Sequence, residues 1–342
     1  MLRNRQWLLK SRPIGNVTAA NFEYCEVEMP EPQLRPGQIL VRNLVYAPAP
    51  TQRNWMNAPG RSYRAAIAVG SPIIGPAGAQ VVKSAHPLWP VGAQLTAVSG
   101  WQDYSVLEPD SANTPVIPVP QHMALTDALG PYGMNSLTAY FGLLRVGEPR
   151  PGETVVISAA AGSVGSVAAQ IAKIKGCRVI GIAGGPVKCE WLRAVCGVDA
   201  TIDYRSQNVR ERLAQLCPTG VDVFFDNVGG DILQAVMDNI AVHGRIAVCG
   251  QISAYDGEGD ANGPRDMMRV VYRRVRLQGF VLPDFHGEIE LARSDLARWM
   301  KEGKLVHRQD LRHGFEQLPS SFLDLFRGAN SGTLLVQVAA PL

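Results

Sequence analysis

The sequence is short of charge, of cysteine pairs and of long apolar runs, and each shortage removes a class of function. Charged residues are 18 % of the 342 and the net charge is +3, too small an excess to mark a nucleic-acid partner. The most basic run, Arg265 to Arg276 with five Arg, reads as a solvated helix face leading into a strand. The six cysteines, Cys25, Cys177, Cys189, Cys196, Cys217 and Cys249, form no C-x-x-C pair, which points to reduced thiols in a cytosolic protein. Cys189 and Cys196, seven apart, are expected to share a helix face as small hydrophobes. No apolar stretch of about 18 residues runs without polar breaks, so no membrane span is expected. The first ten residues lack an apolar core followed by a cleavage site, so secretion is not expected either. What is left is an ordinary globular composition, 46 % hydrophobic, with length for two domains.

What is present centres on Thr154 to Lys173. Val155 to Ile157 is a β-branched apolar run suited to a parallel strand buried on both faces. Ala160-x-Gly162-x-x-Gly165 follows, a dinucleotide fingerprint with Ala in its first position, and then a helix with Val164, Val167, Ala168, Ile171 and Ala172 on one stripe. A pyrophosphate must lie against free N–H groups at a helix N-terminus, where no bulky side chain can stand.

Before this stretch, to about residue 128, short alternating runs such as Gln38 to Tyr46 are separated by many Gly and Pro, as in a compact β-barrel. Pro131 to Leu144 reads as a helix with Asn135 or Ser136 as N-cap. After it, strands beginning near Val155, Arg178, Thr201, Asp222, Arg245 and Arg276 alternate with helices, including Val187–Val195 and Asn208–Leu216. Six parallel strands with right-handed crossovers make a doubly wound sheet. A further helix, Gly287 to Gly303, should turn Leu291, Leu296 and Trp299 inward. The strand at Gly332 to Val338 has no βαβ partner and should return to the first domain. The expected division is 1–130 with 305–342 as a β-barrel domain and 131–304 as the nucleotide domain, the ligand cleft lying between the barrel and the carboxyl ends of the sheet.

The second strand ends Val179-Ile-Gly-Ile-Ala-Gly-Gly185, with no acid to hold a ribose 2′-hydroxyl, and Lys188 follows at once. A missing carboxylate beside a cation favours a 2′-phosphate and therefore NADPH.

The assembled strings resemble the medium-chain dehydrogenase/reductase superfamily. They are most similar to its zinc-free double-bond reductases: leukotriene B4 dehydrogenase/prostaglandin reductases, plant alkenal reductases and bacterial curcumin reductases. The resemblance rests on Asn4 to Leu9, Gly100 to Tyr104, Leu137 to Leu143, Ser158 to Gly165, Gly176 to Val179, Asp226 to Gly230 and Arg276 to Phe280. It implies a GroES-like β-barrel joined to a Rossmann sheet, and a homodimer. By resemblance, Gly162, Ser163, Val164 and Gly165 would hold the pyrophosphate. Lys188 and Tyr204 would meet the 2′-phosphate, beside Gly185 where relatives often carry serine. Asn227, Cys249 to Tyr255, Phe280, Val281, Leu282 and Asn330 would border the nicotinamide half, with Cys249 contributing backbone only. The substrate wall departs from the family pattern. The usual Asp-Pro-Tyr-Met-Arg is Ala49-Pro-Thr-Gln-Arg53, and the usual Met-Pro-Gly is Met134-Asn-Ser136. Thr51, Arg53 and Asn135 are the expected substrate-pocket residues, and Thr51 and Asn135 suggest a more polar pocket.

The barrel half carries one Cys, Cys25, and His86 and His122 with no His-Glu pair, so neither zinc site of the metal-containing relatives can be built. Without a Lewis acid, hydride addition to a C=C activated by a carbonyl fits better than alcohol oxidation. Tyr255 is the candidate donor to the developing enolate, with water as the alternative proton source. The expectation is a cytosolic, zinc-free NADPH-dependent reductase of α,β-unsaturated ketones or aldehydes. Its rivals are a quinone reductase, reversible secondary-alcohol oxidation on the same fold, or an NADPH-binding protein without catalysis.

Overall fold

A computed structural model describes every residue except 61, 63, 112–114 and 256–262. In chain order the first strands are β1 (Leu2–Leu9), β2 (Phe22–Met29), β3 (Ile39–Tyr46), β4 (Ile74–Ser84), β5 (Gln94–Gly100), β6 (Tyr104–Leu107) and β7 (Ile117–Val119). Then come β8 (Thr154–Ile157), β9 (Arg178–Ala183), β10 (Ala200–Asp203), β11 (Val221–Asp226), β12 (Ile240–Val248) and β13 (Arg276–Gly279). Last are β14 (Gln309–His313) and β15 (Thr333–Gln337). Two compact units result. One holds Met1–Gly130, Gln309–Ala329 and Leu334–Leu342; the other holds Pro131–Arg308 and Asn330–Thr333.

The first unit is a mainly β assembly in which β14, β15, β3, β4, β5 and β7 follow one another, β6 also pairs on β3, and β1 pairs with β2. β15 runs antiparallel to β3, with Val336 opposite Tyr46. Its centre is aromatic: Tyr46, Trp55, Trp101, Phe315 and Phe322 are buried together. The Tyr46 hydroxyl donates to the backbone carbonyls of Gly100 and Gln102, which lets a polar tip lie in an apolar core.

The second unit is a parallel sheet in the order β10-β9-β8-β11-β12-β13, the doubly wound 3-2-1-4-5-6 order of dinucleotide-binding domains. Its central strands β8, β9 and β11 are largely apolar because both their faces are covered. Val155, Ile157, Val179, Val223 and Phe225 pack on one side, with the helices Met134–Phe141, Ser163–Ile174 and Ile289–Lys301. Val156, Ile180, Ile182 and Phe224 pack on the other, with Val209–Leu216 and Gly230–Asp238. The two units are thus the GroES-like β unit and the Rossmann sheet expected of the sequence.

Several local expectations need correction. The helix expected to be capped by Asn135 or Ser136 begins at Met134 with Gly133 as N-cap, and Ser136 is buried inside it. Glycine serves there because a cap needs extended backbone more than it needs a side chain. Leu291 is 53 % exposed, and Ala292 takes the inward position beside Leu296 and Trp299. Residues 292, 296 and 299 share one face at the i, i+4, i+7 spacing, and Leu291, five before Leu296, falls off it. The helix carrying Cys189 ends at Ala194, so Cys196 lies beyond it; both thiols nevertheless sit in the same core. β12 begins at Ile240, five residues before the expected Arg245, and is irregular there, with His243 at φ 64°.

Candidate functional site

The carboxyl ends of β8 to β12 bring the nucleotide-type features of the second unit together. After β8 the chain turns through Ala159 at φ 47°, and the helix Ser163–Ile174 starts with Gly162 as its cap. A side chain on Gly165 would place its Cβ 2.4 Å from the Ala159 carbonyl oxygen and 2.8 Å from Ala160 Cα, so the turn and helix can approach only because this residue is glycine. Ser163 and Val164 occupy the first helical turn, where backbone N–H groups have no intrahelical acceptor. The C-terminal segment comes back to this turn: Gly332 forms a parallel bridge with Gly162, and the Asn330 amide donates to the Gly332 carbonyl at 3.0 Å.

β9 ends at Ala183, and the helix Pro186–Ala194 follows with Gly185 as its cap at φ 87°. No acidic residue ends β9 itself, although one carboxylate from β10 reaches the turn that follows. The nearby Asp203 is spent internally, its carboxylate accepting from the N–H groups of Gly185 and Arg205 and from the Ser206 hydroxyl, and these bonds hold it ionised below the usual carboxylate range. Three cations converge instead. Burial lowers the Lys188 ammonium from its ordinary value, and the charges of Arg205 and Arg308 lower it further. Arg205 Nε and Tyr204 Oη both lie 2.9 Å from where a side chain on Gly184 would begin, so the tips of these residues gather over the Gly184-Gly185 turn. Arg308 lies over the Trp191 ring at 5.5 Å. The like charges that lower Lys188 are what a bound dianion would offset. Arg205 and Arg308 were not among the residues read from the sequence. Arg205 merely follows Tyr204, and Arg308 lies in a segment without periodicity, where only the fold brings it near Lys188.

The ends of β8, β11 and β12 are polar but closed. Asn227 donates its amide to the Ser158 carbonyl at 2.7 Å, which fixes it at the end of β11. Cys249 follows β12, and burial, with the Asp226 carboxyl adding to it, pushes its thiol up to about 12; it is not a nucleophile at neutral pH. Tyr255 ends the short helix Ile252–Tyr255, and its hydroxyl oxygen accepts the Gln251 N–H at 3.3 Å. Phe280 packs its ring against Phe225 and over Gly142, where any Cβ would meet it at 2.2 Å. Val281 and Leu282 are half-buried after β13. Asn135 is half-buried in the first turn of its helix.

In the first unit, Thr51 is half-buried and caps the turn of helix Gln52–Trp55. Arg53 is only 3 % exposed, and its guanidinium donates to Asn57 Oδ1 and to the Gly15 carbonyl. The expectation that Arg53 lines an open pocket therefore needs correction, because the side chain is drawn into the unit by those two acceptors. Thr51 is the half-exposed member of the pair. Among the described residues, no group of three or more His, Cys, Asp or Glu is arranged to hold a metal ion, and no helix is long and apolar enough to cross a membrane.

Residues 5–114 match the family described as the N-terminal domain of oxidoreductases, and residues 163–298 match the family described as zinc-binding dehydrogenases. The chain is 36 % identical to the NADPH-dependent curcumin reductase of Escherichia coli, covering 98 % of this chain and 97 % of that one. It is 36 % identical to prostaglandin reductase 1 of Oryctolagus cuniculus, covering 97 % and 93 %. The solved structure of CurA from Vibrio vulnificus in complex with NADPH superposes with a TM-score of 0.90 at 36 % identity, covering 98 % of this chain and all of that one.

Proposed function

The chain belongs to the medium-chain dehydrogenase/reductase superfamily, among the curcumin, prostaglandin and alkenal double-bond reductases, and from that premise we propose that it reduces the C=C bond of α,β-unsaturated ketones or aldehydes with NADPH. The observation that carries the cofactor half of this reading is the acid-free end of β9 beneath Lys188, Arg205 and Arg308. Three cations match a 2′-phosphate dianion and have no counterpart in NADH. The reaction class rests on family membership.

In this reading the turn Gly162–Gly165 and the N–H groups that open its helix hold the pyrophosphate. Lys188, Arg205 and Arg308 hold the 2′-phosphate, with Tyr204 and Gly185 beside it. Asn227, the backbone of Cys249, Phe280, Val281, Leu282 and Asn330 border the nicotinamide half. When bound, NADPH supplies the hydride that goes to the β-carbon of the acceptor. Tyr255 donates a hydrogen bond to the carbonyl oxygen where negative charge develops, and the proton for the α-carbon comes from its hydroxyl or from water. Thr51 in the first unit and Asn135 in the second are each read as a polar substrate-pocket residue. No step uses a metal, in keeping with a barrel half that has one Cys and no His-Glu pair.

We read the protein as a cytosolic homodimer without nucleic-acid or membrane partners. The exposed edge supports the dimer: all four residues of β13 are exposed, as are Met267, Met268, Val271 and Tyr272 before it. Light scattering on the purified protein checks it.

Following NADPH absorbance with a panel of enones, enals and quinones, with NADH in parallel and with a chelator added, tests the function. Chelator-insensitive turnover of enones or enals with NADPH preferred is expected. Activity on quinones alone overturns the reaction while keeping the cofactor, and NADPH binding without any turnover favours a silent binding protein.

A further inference from the structure

Asp226 ties together three strand ends, two through its buried carboxyl and the third through its backbone carbonyl. The Ser158 hydroxyl donates to Asp226 Oδ1 at 3.0 Å, and the N–H groups of Val228 and Gly229 donate to the same oxygen, each at 3.0 Å. The backbone carbonyl of Asp226 accepts the N–H groups of Cys249 at 2.8 Å and Gly250 at 3.1 Å. Ser158 in turn accepts the Asn227 N–H on its hydroxyl oxygen at 2.8 Å and the Asn227 amide on its carbonyl at 2.7 Å. Asp226 is fully buried, and its second oxygen, Oδ2, meets no donor among the described residues. A carboxylate serving as a charge would gather donors on both oxygens; this one uses a single oxygen as a carbonyl would.

We propose that the Asp226 carboxyl makes it a positioning residue that holds the phosphate turn after β8 and the Asn227–Gly230 loop after β11 at one fixed spacing, while its backbone carbonyl ties the Cys249–Tyr255 segment after β12 to the same residue. Ser158 is the last residue before the strained Ala159 that opens the phosphate turn, and Asn227 and Cys249 lead the segments read as facing the nicotinamide half. One oxygen with three donors therefore couples the two halves of the cofactor site. What it supplies is geometry, and its negative charge is not required. The inference rests on the NADPH reading of the site and adds to it how the site is kept in register.

The test compares Asp226→Ala, Asp226→Asn and Ser158→Ala in the full chain, by NADPH fluorescence titration and by melting temperature without cofactor. Losing three hydrogen bonds to one buried oxygen is expected to raise the NADPH Kd of Asp226→Ala by about 10-fold or more at temperatures where the variant is folded. Asp226→Asn retains an Oδ1 for the same donors and should bind within about 3-fold of wild type; Ser158→Ala, which removes one donor to Asp226 and the acceptor of the Asn227 N–H, should weaken binding about 3-fold. An Asp226→Ala protein with a lowered melting temperature and an unchanged Kd overturns the proposal and leaves a structural role. An Asp226→Asn protein that is folded yet binds as poorly as Asp226→Ala also overturns it, because charge would then be the requirement. Should Asp226→Ala fail to fold, Ser158→Ala decides, since unchanged binding there overturns the proposal. Wild-type protein that binds no NADPH overturns the cofactor reading itself, and this is visible before any variant is compared.

Discussion

Beyond β9 and β10 the side chains that matter are charged and reach toward solvent, whereas beyond β8, β11 and β12 they are polar, buried and bonded to one another. Tyr204 is 47 % exposed, and Arg205 and Arg308 are exposed beside a half-buried Lys188. Ser158 and Asp226 are fully buried, and Asn227 is tied to Ser158. The two regions divide the labour in a way that follows from their dielectric setting. Exposed cations attract a dianion at modest cost and can discriminate its presence, but water and salt screen them. Buried hydrogen bonds discriminate no charge, yet they fix position because leaving any of them unmade is expensive.

The turn common to both regions gives the largest expected effect. Gly165→Val puts a branched side chain where even a Cβ meets the Ala159 carbonyl at 2.4 Å, so the helix must move off the turn. NADPH and NADH binding should fall together by roughly 100-fold or more, read by fluorescence titration. Retained binding of either would mean that the turn does not hold the pyrophosphate. Next in size is Tyr255→Phe, expected to lower kcat by on the order of 100-fold while the NADPH Kd moves less than about 2-fold. A kcat within about 3-fold of wild type would assign the proton and the oxyanion stabilisation to water.

The charged region is tested by Lys188→Ala and Arg308→Ala. Each should raise the NADPH Kd by about 10-fold and leave the NADH Kd unchanged, the cost of one charge-assisted contact to phosphate. Raising the ionic strength should weaken NADPH binding in wild type and do so less in either variant. An equal loss of NADH affinity would break the division, since it would show these cations serving the fold and not the 2′-phosphate.

How much of this was legible in the sequence follows the same line. The phosphate turn and the acid-free end of β9 could be read because strand, glycines and helix are consecutive, and Lys188 because it opens the next helix. Arg308 could not, since it reaches Lys188 only through the return of the chain after the helix Ile289–Lys301. Asp226 was legible as part of a family string, but its three donors come from residues on two strand ends, and no local pattern encodes that. Leu291 was misplaced because it lies five residues before Leu296, which puts it off that face at 3.6 residues per turn, whereas Ala292 lies four before it. Arg53 was assigned to a pocket from its place in a motif, while its burial depends on the distant Gly15 carbonyl.

His307 gives the smallest expected effect, and it lies next to Arg308 where the returning chain supports the charged region. Its Nε2 is 3.0 Å from Thr333 Oγ1, and burial lowers its ring to about 4. An unfolded histidine takes up its proton near pH 6.5, so between these values the unfolded chain binds more protons than the folded one. The stability this neutral ring contributes is complete above about pH 6.5 and is lost as the pH falls toward 4. At pH 5 the loss should be about 1–2 kcal/mol, a melting-temperature decrease of a few degrees in a domain of this size. His307→Gln keeps a neutral polar side chain and cannot take up that proton, so its melting temperature should change less than that of wild type between pH 7 and pH 5. Equal slopes would show that His307 is already charged or already exposed in the folded protein. The expected slope, paired with NADPH affinity measured over the same range, would show whether cofactor binding depends on the segment that carries Arg308.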